Sequence, residues 1–566
     1  MRVLRFVLCL ALVACGDDSS PLDAGDAEVL DAGAGDAGAD AADAGSDAGP
    51  LPDYPEQAVP ASRAVGDVRI ETVEVDVPAP PPNPLTDVET PAALNKIRVQ
   101  RYRRDMEPAA EAHSIVIAMP GILAGAASLD GLARGLVAES DDAVEVWVVD
   151  RRSNALEDLR GMNTAEMSEN AEIAAQYYRG EATIGGESFP GLLAQSELAY
   201  MSEWGLATLV GDVHALIGNV DEEQRRQRVF LLGHSLGASF AEAYAAWRFM
   251  DGTRGAEELA GVILVDGALG SEPITEEEYN EGFTSGGFGS SGLDGIREDS
   301  PALAIPFLGV DIYVLAEEMA LRARFDPEGV LDDSLRDDSL SLLLGYPRNA
   351  VPAFTNNAAF GLPFDDASGA LAFARLGVGE PLGETETFTS LLGEELTRPV
   401  LSDSAVVWRD GPESGEASTM EEFTRSFTAG PTNYAEWYFP ARLPLDLAAS
   451  SGASLAEDSW QAALGLRSFD GALIDAPILA VACALVGSTA RYDAIRERVA
   501  PLIGEGRPLS GASRTDEGAF VVIDAIDLLH LDPGVAAEGS RNPTIGAAAA
   551  FLVRNSAEGT TEIVFE

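Results

Sequence analysis

The chain has 566 residues, of which 46% are hydrophobic, enough for one large domain with an insertion or for two or three smaller domains. Its 37 Lys and Arg residues against 93 Asp and Glu residues give a formal net charge of −56. A surface this acidic repels phosphate backbones and anionic headgroups, which argues against nucleic acid or anionic lipid as a binding partner.

The N-terminal segment is typical of a secretory signal peptide. Residues 1–14, "MRVLRFVLCLALVA", place two arginines ahead of an apolar run that is too short to span a bilayer. The run ends in Leu12-Val13-Ala14-Cys15, which closely resembles the lipobox of bacterial lipoproteins. This resemblance implies cleavage before Cys15, acylation of that cysteine and anchoring in the bacterial cell envelope. The alternative is a plain secretory signal that is cleaved near Ala14.

Residues 15–61 are predicted to form a disordered tether. Repeats such as "DAGAGDAGADAADAGSDAG" hold Asp, Ala and Gly with almost no large apolar side chain. Such a segment buries too little surface to offset the entropy cost of ordering it, and its like charges extend it. We therefore expect it to hold the folded part of the chain away from the membrane.

Apolar strand-like runs alternate with helical runs from residue 62 onward. In chain order the predicted strands are "VGDVRIETVEVDV" (65–77), "KIRVQRYRR" (96–104), "HSIVIAMPG" (113–121), "VEVWVVD" (144–150), "RVFLLG" (228–233), "LAGVILVDG" (259–267), "DAPILAVAC" (475–483) and "AFVVIDAIDLLH" (519–530). Predicted helices cover 128–140, 200–218 and the run after residue 235. Because most of these strands are apolar throughout, the pattern predicts a mostly parallel sheet with helices on both faces.

The segment 271–470 has few strand signals and several helical ones, such as "DIYVLAEEMALRARF" and "MEEFTRSF". We interpret it as a large, mainly helical cap inserted between two sheet strands. The predicted core then consists of residues 62–270 and 471–566.

The run "GHSLG", residues 233–237, follows an apolar strand-like run and precedes helix-forming residues. A sharp strand-to-helix turn of this kind exposes the serine and needs small residues two positions to either side. Serine becomes a nucleophile when a base and a site for the developing oxyanion lie next to it. The chain has a single Gly-x-Ser-x-Gly run, so Ser235 is the candidate nucleophile.

With this motif the chain resembles the α/β-hydrolase superfamily over roughly residues 62–560, through "GHSLG", the order of strands and helices around it and a late histidine. It is also similar to a poorly characterised group of secreted bacterial hydrolases, through "VWVVDRRSNALED" (146–158) and "NYAEWYFPARLPLD" (433–446). The resemblance implies an α/β-hydrolase fold and a triad in the chain order Ser, acid, His.

The base is expected to be one of four histidines: His113, His214, His234 and His530. His113 precedes a buried strand, His214 lies within a predicted helix, and His234 is expected to point away from its neighbour Ser235. His530 alone follows the last strand, which is where the family order places the base.

The acid has two candidates. In most of the superfamily it follows the strand that comes next after the cap, and the first carboxylate there is Asp493, inside a predicted helix. Asp266 ends the strand before the cap, a position that some lipases of the superfamily use. We favour Asp266 and keep Asp493 as the alternative.

The oxyanion is expected to meet two backbone N–H groups. One belongs to Leu236, directly after the nucleophile, and the other to the turn "AMPGILAG", with Ile122 preferred over Leu123. The His-Gly pair common in this turn is replaced by Pro120-Gly121, which matters little because backbone groups supply the donors.

Two further runs have alternative interpretations. Arg151 and Arg152 could bind a substrate carboxylate or form internal salt bridges that order their loop. The aromatic run 434–440, "YAEWYFP", could line the substrate entrance or pack the cap onto the core.

The sequence thus predicts a lipid-anchored serine hydrolase that cleaves a small or lipid-like carboxylic ester and requires no cofactor or metal. The alternatives are an amidase or peptidase with the same triad, and a catalytically silent binding protein of this fold. A serine nucleophile argues against the epoxide hydrolases and dehalogenases of the superfamily, which use an aspartate.

Overall fold

The structure, a computed structural model, describes residues 50–106, 112–140, 144–285, 288–303, 309–331, 343–347, 350–390, 393–503 and 519–561, together with residues 563 and 565. The predicted signal peptide, the lipidation site Cys15 and most of the predicted tether lie outside these residues. Among the helices that are described, none has the length and apolarity needed to cross a membrane.

The strands in chain order are β1 (Asp53–Tyr54), β2 (Ser62–Val65), β3 (Val68–Asp76), β4 (Lys96–Arg104), β5 (Ser114–Met119), β6 (Val144–Asp150), β7 (Thr183–Ile184), β8 (Val229–His234), β9 (Gly261–Val265), β10 (Phe283–Ser285), β11 (Phe288–Ser290), β12 (Gly379–Leu382), β13 (Thr385–Thr389), β14 (Glu395–Pro399), β15 (Val407–Asp410), β16 (Ile478–Ala482) and β17 (Phe520–Asp524).

The α-helices are α1 (Asp130–Glu139), α2 (Arg160–Met167), α3 (Ala171–Tyr178), α4 (Leu206–Ile217), α5 (Glu222–Arg228), α6 (Leu236–Ala245), α7 (Glu276–Glu281), α8 (Gly292–Glu298), α9 (Asp311–Phe325), α10 (Asn356–Gly361), α11 (Gly411–Ser414), α12 (Met420–Phe427), α13 (Arg442–Ala449), α14 (Trp460–Ala463), α15 (Ala490–Val499), α16 (Asp532–Val535) and α17 (Pro543–Asn555).

The central sheet of the described chain has nine strands in the order β2-β3-β4-β6-β5-β8-β9-β16-β17. The strands β6, β5, β8, β9, β16 and β17 run parallel to one another, whereas β2, β3 and β4 form an antiparallel edge. The predicted mostly parallel sheet is therefore confirmed. Its parallel strands bring their carboxyl ends to one edge, where ligand sites of open α/β sheets form.

Both faces of the sheet are buried, as the uninterrupted apolar runs predict. Along β5, Ile115 and Ile117 belong to one core cluster, while Val116 and Ala118 belong to the cluster on the opposite face. Successive side chains of a strand point to opposite faces, so a strand covered on both sides must be apolar at every position. The structure packs α4 and α6 on one face, and α1 and α17 on the other.

The insertion between β9 and β16 holds eight of the described helices, α7 to α14, but it also contains strands that the sequence interpretation did not anticipate. Three two-stranded antiparallel ribbons occur there, β10–β11, β12–β15 and β13–β14. Polar residues interrupt these strands, as in "TETFT" of β13, which is exposed at four of its five positions, so they lack the apolar runs that mark buried strands.

The folded part begins earlier than the predicted boundary at residue 61. Within the segment assigned to the tether, β1 pairs in parallel with β7, and the Val59 side chain is buried. Large side chains such as Tyr54 and Val59 return after residue 50, and they supply the apolar surface that the Asp-Ala-Gly repeats lack.

Candidate active site

Ser235 occupies a strained turn between β8 and α6. Its backbone angles are φ 57° and ψ −124°, in a region that costs a residue with a Cβ about 1–3 kcal/mol. The flanking glycines make this turn possible. A Cβ at Gly233 would lie 1.9 Å from the Gly237 carbonyl oxygen, and one at Gly237 would lie 2.1 Å from that of Met119. The steric role predicted for both glycines is confirmed.

Two further glycines allow the ends of the neighbouring strands β5 and β9 to approach Ser235 closely. A Cβ at Gly121, in the turn after β5, would lie 3.5 Å from Ser235 Oγ. A Cβ at Gly267, in the turn after β9, would lie 2.2 Å from the Ser235 carbonyl oxygen. The Ser235 N–H donates to the Val265 carbonyl at 2.9 Å, which ties the turn to the end of β9.

His530 and Asp266 form a hydrogen-bonded pair beside this turn. His530 Nδ1 lies 2.7 Å from Asp266 Oδ2, and both side chains are buried. The Asp266 carboxylate also accepts backbone N–H groups of Cys483 and Val486, each at 3.0 Å. Burial alone would raise the pKa of Asp266, but the hydrogen bond and charge of His530, with the Val486 N–H, outweigh it and lower that pKa. Asp266 is therefore held as a carboxylate.

The alternative acid, Asp493, lies elsewhere. It belongs to the first turn of α15, is partly exposed, and pairs with Arg496 at 3.0 Å. The structure brings His530 to Asp266 and not to Asp493.

His234, which the family order excludes as the base, contacts His530. The two imidazole centroids are 4.6 Å apart, and His234 Nε2 lies 2.8 Å from the His530 carbonyl oxygen. Burial, with the nearby His530, lowers the pKa of His234 to about 3. The ring is therefore neutral at ordinary pH, and its Nε2–H donates to the His530 carbonyl. Its place next to the nucleophile, at the end of a buried strand, was the signal for this role.

Ser235, His234 and His530 line one cavity of about 190 Å³. The cap covers it with apolar side chains, among them Ile312, Met319, Phe360, Phe364, Leu371 and Phe427. No Asp, Glu, Lys or Arg side chain occurs among the described residues that line the cavity. In the same described part of the chain, no group of three or more His, Cys, Asp or Glu side chains is arranged to hold a metal ion.

The two expected oxyanion donors flank the serine. Ile122 lines the cavity next to Gly121, and Leu236 is the first residue of α6, so its N–H has no acceptor within the helix. Within the described ranges, neither N–H donates to another protein group. Leu123, the second choice, also lines the cavity and has a φ of 57°.

The two arginines after β6 both point into the protein. Arg151 pairs with Glu436 at 2.6 Å and Arg152 with Asp212 at 2.9 Å, with all four side chains buried. The internal-salt-bridge interpretation is therefore correct.

Most of the aromatic run 434–440 packs cap to core, since Trp437, Tyr438 and Phe439 are buried. Tyr434 and Ala435 line the cavity as well, so both interpretations of this run apply in part.

No family model and no curated protein matches this chain. Solved structures that it resembles include a proposed lipase from Sulfolobus solfataricus, at 12% identity and a TM-score of 0.39, covering 86% of this chain and 95% of that one. A thermophilic esterase from Thermogutta terrifontis (12% identity, TM-score 0.32) and an epoxide hydrolase from Vigna radiata (13%, 0.32) are each matched over 86% of this chain and 100% of theirs.

The fold is that of an α/β-hydrolase. Two features of the molecule define this fold: a mostly parallel sheet with helices on both faces, and a Gly-x-Ser-x-Gly turn from strand to helix at its carboxyl edge. The order Ser235, Asp266, His530 along the chain also follows the pattern of that fold.

Proposed function

We propose that this protein is a serine hydrolase that cleaves carboxylic esters through an acyl-enzyme on Ser235. The observation that carries the proposal is the His530–Asp266 pair, with 2.7 Å between Nδ1 and Oδ2, beside the cavity that Ser235 and His530 both line. This pair supplies what a serine hydroxyl needs at neutral pH, a base whose tautomer is held by a carboxylate.

In the first half-reaction, Ser235 Oγ attacks the acyl carbonyl carbon while His530 Nε2 takes the hydroxyl proton. Asp266 accepts the Nδ1–H hydrogen bond and stabilises the imidazolium that forms. The N–H groups of Ile122 and Leu236 donate to the oxyanion of the tetrahedral intermediate. The intermediate then expels the alcohol, which takes the proton from His530.

In the second half-reaction, water attacks the acyl-enzyme. His530 accepts a proton from the water and returns it to Ser235 Oγ as the ester bond to the enzyme breaks. The products are a carboxylic acid and an alcohol, and the free enzyme is restored.

The cavity favours an uncharged substrate with an apolar acyl or alcohol part. Its walls are largely apolar, and no Asp, Glu, Lys or Arg side chain lines it within the described residues. A charged group of a substrate would be desolvated there without a partner, which costs several kcal/mol.

A fluorophosphonate probe tests the proposal on the intact chain. Covalent labelling of the wild type, abolished in Ser235→Ala, is expected, because the probe needs an activated serine. Ser239→Ala is a matched control: Ser239 lies one turn further along α6 and donates to the Ala268 carbonyl at 2.8 Å. A folded wild type that takes no label would support the catalytically silent binding protein instead.

The same groups could act on an amide. Comparing kcat/KM for p-nitrophenyl hexanoate and for the p-nitroanilide of hexanoic acid separates the two activities. We expect measurable turnover of the ester and little or none of the anilide. A higher kcat/KM for the anilide would contradict the esterase proposal.

We also propose that the mature protein is anchored in the bacterial cell envelope by acyl chains on Cys15. The lipobox-like run supports this location, and more than one chain is needed for stable anchoring. Detergent phase partitioning tests it: the wild type is expected in the detergent phase and Cys15→Ala in the aqueous phase. Equal partitioning of both would contradict it.

A further inference from the structure

The guanidinium group of Arg151 holds the turn that carries Ile122 through hydrogen bonds to carbonyl groups of that turn. Arg151 directly follows β6 and is 4% exposed. Its Nη2 donates to the carbonyl oxygens of Pro120 and Gly121, at 2.6 and 3.1 Å, and its Nη1 donates to that of Ala124 at 3.0 Å. Three carbonyls of a single turn therefore face the same cation.

The guanidinium is itself fixed by the cap. Arg151 Nη1 donates to Glu436 Oε2 at 2.6 Å. Arg151 Cζ also lies over the Phe439 ring, 5.0 Å from the ring centroid. Glu436 is fully buried, and Ser153 Oγ donates to its other oxygen. A paired and packed arginine of this kind has little freedom to turn its donors elsewhere.

The same cap segment binds the turn through its backbone. The Glu436 N–H donates to the Leu123 carbonyl at 3.0 Å, and the Gly125 N–H donates to the Tyr434 carbonyl at 2.8 Å. These bonds, with those of Arg151, hold the carbonyls of residues 120, 121, 123 and 124 on partners other than Ser235.

The orientation of the Ile122 N–H follows from these contacts. In a planar trans peptide the C=O and the N–H point in opposite directions. Because the Gly121 carbonyl points at Arg151, the Ile122 N–H of the same peptide points away from Arg151, on the side where Gly121 packs against Ser235. A flipped peptide would instead present the Gly121 oxygen to the oxyanion.

We propose that Arg151, held by Glu436, is a positioning residue that locks the 121–122 peptide with its N–H toward Ser235. This role rests on the proposed serine hydrolase activity, and it belongs to the Arg151–Glu436 pair, which lies outside the triad. Arg151 contacts neither the nucleophile nor the cavity, and it acts through the donor that it orients.

Arg152 provides a matched control in the next position of the chain. It is 3% exposed and pairs with Asp212 at 2.9 Å, so it resembles Arg151 in burial and charge pairing. Its other donors go to the Pro78 carbonyl at 2.5 Å and to Asn95 Oδ1 at 2.9 Å, away from the turn. Loss of either arginine breaks a buried ion pair, but only loss of Arg151 frees the Gly121 carbonyl.

The test compares full-length Arg151→Met and Arg152→Met with the wild type on p-nitrophenyl hexanoate. For Arg151→Met we expect kcat to fall between tenfold and about 10³-fold, the upper figure being the loss of a whole oxyanion donor. KM is expected to change little, because the affected contact forms in the transition state. A boronic acid that forms a tetrahedral adduct on serine, 1-hexylboronic acid, should lose affinity in parallel. Arg152→Met should change both quantities by less than threefold.

Equal losses of kcat and boronate affinity in the two arginine variants would overturn the inference. If Arg151→Met fails to fold, Glu436→Gln replaces it, since the amide keeps the side-chain shape but not the charge that fixes Arg151. Glu436→Gln should lower kcat without moving KM, and an unchanged kcat would overturn the inference. Failure of the proposed function is visible separately, because the wild type would then show no turnover and no fluorophosphonate labelling.

Discussion

The imidazole of His234 lies over that of His530, with centroids 4.6 Å apart and an angle of 30° between the ring planes, and its Nε2–H donates to the His530 carbonyl at 2.8 Å. The residue before the nucleophile thus supports the loop of the candidate base. His234, at the end of β8, and His530 are 296 residues apart in the chain and meet only in the folded protein.

His234→Ala should destabilise the protein by about 1–3 kcal/mol, since the buried His530 carbonyl loses its donor. We expect kcat to fall by less than in Ser235→Ala. Because the pKa of His234 is lowered to about 3, its ring is neutral between pH 5 and 9. The shape of the pH profile of kcat/KM should therefore stay the same. His234→Gln, which keeps a donor, should recover part of the stability, and a displaced pH profile in either variant would contradict this assignment.

Asp266→Asn should lower kcat by up to about 10⁴-fold, because an amide can hold the wrong tautomer of His530. Asp493→Asn is the control, since Asp493 is partly exposed on α15 and pairs there with Arg496 and Thr489. Ester hydrolysis by both purified variants measures the difference. A large loss in Asp493→Asn with little loss in Asp266→Asn would reverse the assignment of the acid.

Gly237→Ala should abolish activity and strongly destabilise the fold, because the new Cβ would lie 2.1 Å from the Met119 carbonyl oxygen. Gly211→Ala is the matched control. It lies within α4 with nothing within 4 Å of the added Cβ, and alanine favours a helix by about 1 kcal/mol. Thermal unfolding should show a lower Tm for Gly237→Ala and an equal or higher one for Gly211→Ala. Similar Tm values for both would argue against the tight turn.

Ala316→Phe should shorten the cavity that α9 covers. Each CH₂ group of the substrate that no longer fits loses about 0.8 kcal/mol of hydrophobic free energy. We therefore expect kcat/KM for p-nitrophenyl octanoate, relative to that for p-nitrophenyl acetate, to fall about tenfold or more. Ala550→Phe, at an exposed position of α17, should leave the ratio unchanged. An unchanged ratio in Ala316→Phe would mean that neither chain of the ester occupies this part of the cavity.

The free energy of unfolding should rise as the pH falls from 8 to 5. Burial, together with the charges of Asp365, Asp366 and Asp532, raises the pKa of Glu416 to about 7. The folded state therefore keeps a proton between about pH 4.5 and 7 that the unfolded chain releases, which stabilises it as the pH falls through 7.

Glu416→Gln mimics the protonated form, so it should raise Tm at pH 8, and its effect should shrink toward pH 5. Differential scanning calorimetry across this range measures both trends. A variant whose Tm difference from the wild type is the same at pH 5 and pH 8 would contradict the raised pKa.

Local sequence patterns determined the elements that carry the site. The run 96–104 became β4 and the run 144–150 became β6 at their predicted bounds. Of these two strands, β6 is buried at every position, whereas β4 carries arginines at partly exposed positions. The turn at Ser235 could also be predicted from the sequence, because the small residues that it requires, Gly233 and Gly237, lie within the same five-residue run. By contrast, β17 covers only 520–524, so the loop around His530 did not follow from the apolar run.

Tertiary structure alone decided which distant groups meet. Asp266 directly follows β9 and Asp493 lies in the helix that follows β16. The structure distinguishes them through the backbone N–H groups and the imidazole that converge on Asp266. The contacts of His234 with His530 and of Arg151 with Glu436 join residues almost 300 positions apart, 296 and 285 respectively. Periodicity and turn chemistry act over a few residues, so they specify strands, helices and the nucleophile turn. Packing of the whole chain is what brings a carboxylate, a ring or a guanidinium to one particular partner.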